Sequence, residues 1–228
     1  MSPDNERVWT NEILREETPK HHSGPWVRIV LAHGEALELP ADIWIQSGFK
    51  VGTEITLAAE ERLRIAQQRA VGMEIGLRYL DRKLCTVKEM RMYLQRKKVD
   101  EQTADQVIQT LQAKGWLDDM AYASEFVATL SCRFSRREMA WKLSRRGISR
   151  EVVDEVMTAG DDEAECEVAL QMARKFWKKG GTVDQELHRR KLILYLQRRG
   201  FTSTSIRFAL DRILCVTDEY LNTFLDND

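Results

Sequence analysis

A mainly α protein of three tandem three-helix repeats, stacked in an elongated curved body behind a small N-terminal β-rich module, is expected from three features of this 228-residue chain. The first is a phrase written three times: Met90-Arg-Met-Tyr-Leu-Gln-Arg-Lys-Lys-Val99, Met139-Ala-Trp-Lys-Leu-Ser-Arg-Arg-Gly-Ile148 and Leu192-Ile-Leu-Tyr-Leu-Gln-Arg-Arg-Gly-Phe201. Each has an apolar residue, a Leu four positions on, a basic pair and a further apolar residue. The match continues downstream through Ala104 and Val107, Val153 and Val156, Ile206 and Ala209. Self-similarity with phrase starts 49 and 53 residues apart marks a repeat architecture. Units that cannot bury a face alone must then stack. The second feature is the disappearance of proline after Ala58, where the apolar period becomes helical. The third is a β-prone, turn-punctuated stretch before it.

The elements follow in order. Residues 1–24 are polar and read as a flexible tail. Residues 25–58 hold the β-prone runs Trp26–Leu31 and Glu54–Leu57, with turn signals at His33-Gly34, Pro40, Gly48 and Gly52 and a short helical turn over Asp42–Ser47. Repeat 1, residues 59–117, opens on an amphipathic stripe of Leu63, Ala66, Ala70, Met73, Leu77 and Leu80. Thr86-Val-Lys-Glu89 and Ser135-Arg-Arg-Glu138 are capping boxes at equivalent helix starts. Gly147 and Gly200 supply the left-handed residue that ends the phrase helices, and Lys98 occupies that place in the first copy. Third helices begin near Glu101, Arg150 and Ser203. Gly115 closes the first unit, and Asp118-Asp119 caps the helix of Tyr122, Phe126 and Leu130. Repeat 2 then covers 118–160, repeat 3 covers 161–216 with a longer connection over Lys178–Asp184, and 217–228 form a C-terminal tail.

Composition narrows the class. No run approaches the length of a membrane span, and the N-terminus lacks the basic start and apolar stretch of a signal peptide. Cys85, Cys132, Cys166 and Cys215 have no framework spacing, as in a protein of the reducing cytoplasm. The net charge of -1 averages over an uneven chain. Residues 1–60 carry a balance of -5, residues 131–150 one of +6 and residues 171–212 one of +8.

Catalytic chemistry is not written into the chain. Phosphate-loop, dinucleotide and nucleophile-elbow motifs are missing. Gly180-Gly181 lacks a preceding strand. Asp118-Asp119 and Asp161-Asp162 sit at helix starts, where capping accounts for them more simply than a nuclease cluster. His21, His22, His33 and His188 do not form a ligand set by spacing, so no metal and no cofactor are expected.

Binding is what remains. Arg96-Lys97, Arg145-Arg146 and Arg198-Arg199 lie at one phase of equivalent helices. One such pair is explained by the helix dipole. Three pairs, joined by Arg133, Arg136, Arg137, Arg189, Arg190 and Lys191, would repeat positive charge along a surface that suits a polyanion backbone or an acidic groove. Tyr93, Trp141 and Tyr195 read as half-buried packing residues, and Trp116, Phe126, Phe134 and Trp177 as core or wedges between units.

Gly115-Trp-Leu-Asp-Asp-Met-Ala-Tyr-Ala123, Lys142-Leu-Ser-Arg-Arg-Gly-Ile148 and Tyr195-Leu-Gln-Arg-Arg-Gly-Phe201 resemble the RecX family, regulators of the RecA recombinase. Val27–Leu57 is similar to the β module some members carry, and the resemblance spans residues 26–214. The chain departs from the family pattern at Arg133-Phe-Ser-Arg136, where a Lys-Gly is common, and at Lys98, where glycine is usual. The resemblance implies a curved body lying in the groove of the RecA–single-stranded DNA filament. It implies modulation, usually inhibition, of recombinase, strand-exchange and co-protease activities, with no cofactor. The partners expected are the RecA filament and single-stranded DNA, with double-stranded DNA through the basic stripe, and the protein is expected to be a monomer. A helix-turn-helix-type module binding DNA directly is the alternative.

Overall fold

A computed structural model describes residues 10–22, 24–158, 162–179 and 185–225, with side chains described as far as residue 214. The elements are β1 (Thr10–Glu17), β2 (Trp26–Leu31), β3 (Ala36–Pro40), α1 (Ala41–Ser47), β4 (Glu54–Thr56), α2 (Leu57–Leu80), α3 (Val87–Arg96), α4 (Glu101–Ala113), α5 (Asp119–Leu130), α6 (Arg136–Arg145), α7 (Arg150–Thr158), α8 (Asp162–Trp177), α9 (Gln185–Arg198) and α10 (Ser203–Leu225). Three three-helix repeats, α2–α4, α5–α7 and α8–α10, follow a small strand module. Among the described residues no helix is long and apolar enough to cross a membrane. The chain divides into two compact units: residues 1–85 with 90–117, and residues 86–89 with 118–228.

In the first unit, four antiparallel strands pair in the order β3-β2-β1-β4. Alternation along β2 and β3 places Ile29, Leu31, Leu37 and Leu39 on one face, and Ile13, Trp44 and Ile55 join them. Ala59 and Leu63 from the start of α2 close this core, so the sheet depends on the helix it precedes. Two expectations are corrected here. The segment read as a flexible tail contributes β1, which pairs with β2 on one side and β4 on the other and buries Ile13 completely. The C-terminal tail expected over 217–228 is helical through Leu225, as the last part of α10.

His22, just before β2, fixes the module further. Its ring stacks on Trp26 with centroids 3.8 Å apart, and its two nitrogens lie 2.7 Å from Glu74 and 2.9 Å from Glu38. Burial disfavours the imidazolium, but hydrogen bonding and attraction from Glu74 and Glu38 outweigh it and raise the His22 pKa. A raised folded pKa adds stability below the unfolded value of about 6.5, and that stability is lost as pH rises through the folded value. The wild type is therefore expected to gain stability, relative to His22→Gln, on going from pH 8 to pH 6. Urea titrations at the two pH values check this, and a gap that does not change with pH would refute it.

Close approach of α2 and α4 is set by two glycines inside the predicted stripe. A Cβ on Gly72 would stand 3.1 Å from Val107, and one on Gly76 would stand 3.3 Å from Leu111. The apolar positions matched between repeats are core. Met90, Leu94, Leu143, Leu192 and Leu196 are fully or almost fully buried, as are Ala104, Val107, Val153, Ile206 and Ala209. In the second unit Tyr122, Ala123, Leu143, Ile148, Val153 and Val156 form one core cluster. Another gathers Val168, Ala169, Leu192, Leu196, Phe201 and Ile206. Gly147 and Gly200 hold φ of 88° and 85°, and Lys98 adopts the same left-handed turn at 63° without glycine's freedom. Cys132 and Cys166 are free thiols.

Candidate polyanion interface

Burial of Met139 and Leu143 decides which way α6 faces. At 100° per residue, Trp141 and Arg145 fall on the opposite side, and in α9 Leu194 and Arg198 do the same against Leu192 and Leu196. The second basic residue of each pair is turned to a different use. The Arg146 carbonyl accepts a hydrogen bond from Thr86 Oγ1 at 2.8 Å, and its guanidinium lies 3.8 Å from Glu89 and over the Tyr122 and Phe126 rings. The Arg199 carbonyl accepts from Ser135 Oγ at 2.6 Å, and its guanidinium lies 3.9 Å from Glu138 and over Tyr195. Two segments 64 and 60 residues apart in sequence thus repeat one joint.

Both hydroxyls also cap helices. Thr86 Oγ1 accepts from the Glu89 amide and Glu89 reaches back to the Thr86 amide at 3.4 Å, completing the predicted box. At Ser135 only half the box forms: the Glu138 amide donates to Ser135 Oγ at 3.2 Å, while Glu138 instead approaches Lys142 and Arg199. Glu165, buried, accepts the Arg136 amide at 3.1 Å and the Ser205 hydroxyl at 3.3 Å. Ser135→Ala removes a buried cap and takes the hydroxyl donor from the part-buried Arg199 carbonyl, at an expected cost of about 1–3 kcal/mol. Equilibrium urea unfolding measures it, and a loss below half a kcal/mol, as for an ordinary surface change, would contradict the double role.

The basic residues sort into two groups. Arg136 pairs with Asp162 and the Met157 carbonyl, and Arg189 and Arg190 both approach Glu186, at 3.8 and 3.1 Å. Among the described residues Arg133, Arg137, Arg145 and Arg198 have no carboxylate partner. In the first unit, Arg96 and Lys97 end α3 over the Tyr93 ring, which stacks on Tyr79 at 4.0 Å.

Around the second unit's cations lie three adjoining depressions. The first, about 480 Å³, is lined by Phe126, Phe134, Trp141, Lys142, Arg145 and Arg146. The second, about 540 Å³, shares Trp141 and adds Arg137, Glu138, Gln197, Arg198 and Arg199. The third, about 380 Å³, shares Arg198 and Arg199 and adds Phe176, Lys191, Leu194 and Tyr195. Cations and aromatic rings line all three, and Glu138 is the one carboxylate among these lining residues. Sequence reasoning singled out Lys191 but missed Lys142, and it misplaced Trp141, which is 55% exposed and not a packing residue. Its phase opposite Met139 and Leu143 is the signal that could have found it. Trp116, expected as core or wedge, is also exposed, with Lys114 over its ring.

The other sites weighed from sequence resolve differently. Asp118 caps α5 through the Met120 and Ala121 amides. Asp119 accepts the Val87 amide at 2.9 Å, and burial pushes its carboxyl pKa up. Asp161 and Gly180-Gly181 lie outside the described residues. His33, Glu35 and Glu60 come together in the first unit, a grouping that spacing did not reveal. Arg64 donates to both carboxylates there, at 2.7 and 2.9 Å, and holds the Glu35 pKa down, so the cluster works as an ion-pair network.

Comparison with known proteins bears on the same segments. Residues 73–111 match the family description RecX, first three-helix domain; residues 118–157 match the second three-helix domain and 163–210 the third. Regulatory protein RecX of Enterococcus faecalis is 27% identical over 198 residues, covering 86% of this chain and 74% of that one. Regulatory protein RecX of Chlorobium phaeobacteroides is 31% identical over 142 residues, covering 61% of this chain and 91% of that one. A crystal structure of regulatory protein RecX aligns with a TM-score of 0.76 at 22% identity, over 88% of this chain and 99% of the other. RecX from Lactobacillus salivarius aligns with a TM-score of 0.60 at 21% identity, over 64% of this chain and 97% of that one. The structural likenesses bear on the fold alone.

Proposed function

The chain belongs to the RecX family, and from that membership we propose that it regulates the RecA recombinase by binding the RecA–single-stranded DNA filament. On this reading it lowers recombinase, ATPase and co-protease activity, and so acts in DNA repair, recombination and the SOS response. It does so as a cytoplasmic monomer, by binding and not by catalysis. The observation that carries the reading is the face of the second unit where Arg137, Arg145 and Arg198, without carboxylate partners among the described residues, line adjoining aromatic depressions. Cations held ready in this way complement a polyanion or an acidic protein groove. The relatives' shared name, regulatory protein RecX, supports a regulatory role.

The test adds the protein to preformed RecA filaments on single-stranded DNA at stoichiometric ratio and follows ATP turnover and filament lifetime. Both are expected to fall, and unchanged values would overturn the proposal. The aromatic lining keeps direct DNA binding as the second reading. That reading expects tight, steeply salt-dependent binding to DNA without RecA.

A further inference from the structure

We infer that Trp141 is a stacking platform for an unpaired nucleobase, set between two groups of phosphate-binding cations. This deepens the nucleic-acid contact of the preceding reading and rests on it. Three observations converge on the indole. It is 55% exposed in a helix whose other large apolar residues, Met139 and Leu143, are buried, so packing does not explain it. It lines both the first and the second depression, and so is reached from both. The Arg145 guanidinium, which lines the first depression, lies 4.8 Å from its ring centroid, and the second depression is lined by Trp141 without Arg145.

The chemistry on either side is that of a single-strand site. A base stacked on Trp141 leaves one phosphate toward Lys142 and Arg145, and the next toward Arg137 and Arg198. Guanidinium groups bind phosphate through paired N–H donors, and a single strand satisfies a cationic groove and an aromatic ring together. Glu138, the carboxylate in the second depression, is already approached by Lys142 at 3.5 Å and Arg199 at 3.9 Å, which tempers its repulsion of phosphate. Gln197 adds an amide able to donate to and accept from a base edge. The second depression, about 540 Å³, falls in the size range of small-molecule clefts. Duplex DNA, its bases already stacked, gains nothing from the indole. The equivalent positions Met92 and Leu194, though 59% and 50% exposed, are aliphatic, which confines the platform to the second repeat.

Fluorescence anisotropy with labelled oligothymidylate and a duplex of fixed sequence, using the full chain without RecA, tests the assignment. Trp141→Ala is expected to weaken single-strand binding roughly 5- to 100-fold, the range of one lost base stack, with duplex binding and the salt dependence of single-strand affinity unchanged. Trp141→Phe retains most of the affinity. Arg198→Ala, by contrast, lowers the salt dependence. Wild-type affinity in Trp141→Ala, equal losses on both DNAs, or no single-strand binding by the wild type would each overturn the inference. If Trp141→Ala spares oligothymidylate but abolishes association with RecA, the indole belongs to a protein contact; the inference then fails while the filament reading stands. If the wild type leaves RecA filaments unaffected yet binds oligothymidylate through Trp141, the filament reading fails and the platform stands.

Discussion

Gly147→Ala is expected to lose about 2–5 kcal/mol of stability, whereas Gly115→Ala loses only about 1–2 kcal/mol. Both glycines have positive φ, 88° and 68°, so both substitutions carry the cost of a left-handed Cβ. They differ in surroundings. A Cβ on Gly115 meets nothing within 4 Å, but one on Gly147 stands 2.6 Å from the Lys88 Cβ and 2.4 Å from its Cδ. The Lys88 Cδ can swing away. Its Cβ is fixed to the first turn of α3, beside the hydroxyl of Thr86 that holds the Arg146 carbonyl, so the backbone must separate there. That separation weakens the Thr86–Arg146 bond and adds the overpacking cost. Urea unfolding of the two variants separates the terms, and equal losses would show that the joint yields without resistance.

Replacing Arg145 and Arg198 together with alanine is expected to reduce affinity for single-stranded polyanions and flatten its salt dependence, by a log–log slope of about 1.4 if each contacts one phosphate. The fold should be untouched, because neither guanidinium has a carboxylate partner among the described residues. Arg146→Ala with Arg199→Ala should behave in the opposite sense. Those guanidinium groups sit against Glu89 and Glu138 and over aromatic rings, so their loss lowers stability by about 1–2 kcal/mol in total while changing the salt slope less. Anisotropy titrations across a salt series, paired with urea melts, check both halves. A pair of double variants indistinguishable in both measurements would remove the division of labour.

The repeats were legible because helix periodicity is local: Met139 and Leu143, or Leu192 and Leu196, reveal the buried face without a partner in view. The left-handed turns at Gly147 and Gly200 were legible for the same reason. Thr10–Glu17 was not, since its eight residues bury one side chain fully, and strand pairing with β2 and β4 supplies the rest from far along the chain. Within each basic pair, nothing nearby in sequence distinguishes Arg145 from Arg146 or Arg198 from Arg199. The distinction comes from hydroxyls about sixty residues upstream. Trp141 was misread because it stands one position earlier in its phrase than Tyr93 and Tyr195, and one residue is 100° of helix.

The shared hydroxyls restrict which residues can begin these helices. Ser, Thr, Asp and Asn are ordinarily near-equivalent caps, because each offers an oxygen to the amides of the first turn. Asp fills that place at Asp100 and Asp118. At positions 86 and 135 the same oxygen must also give up a proton to a distant carbonyl, which neither a carboxylate nor a carboxamide oxygen can do. Cap chemistry there is a choice between two residue types instead of four, and it separates helix starts that serve as joints from those that merely begin.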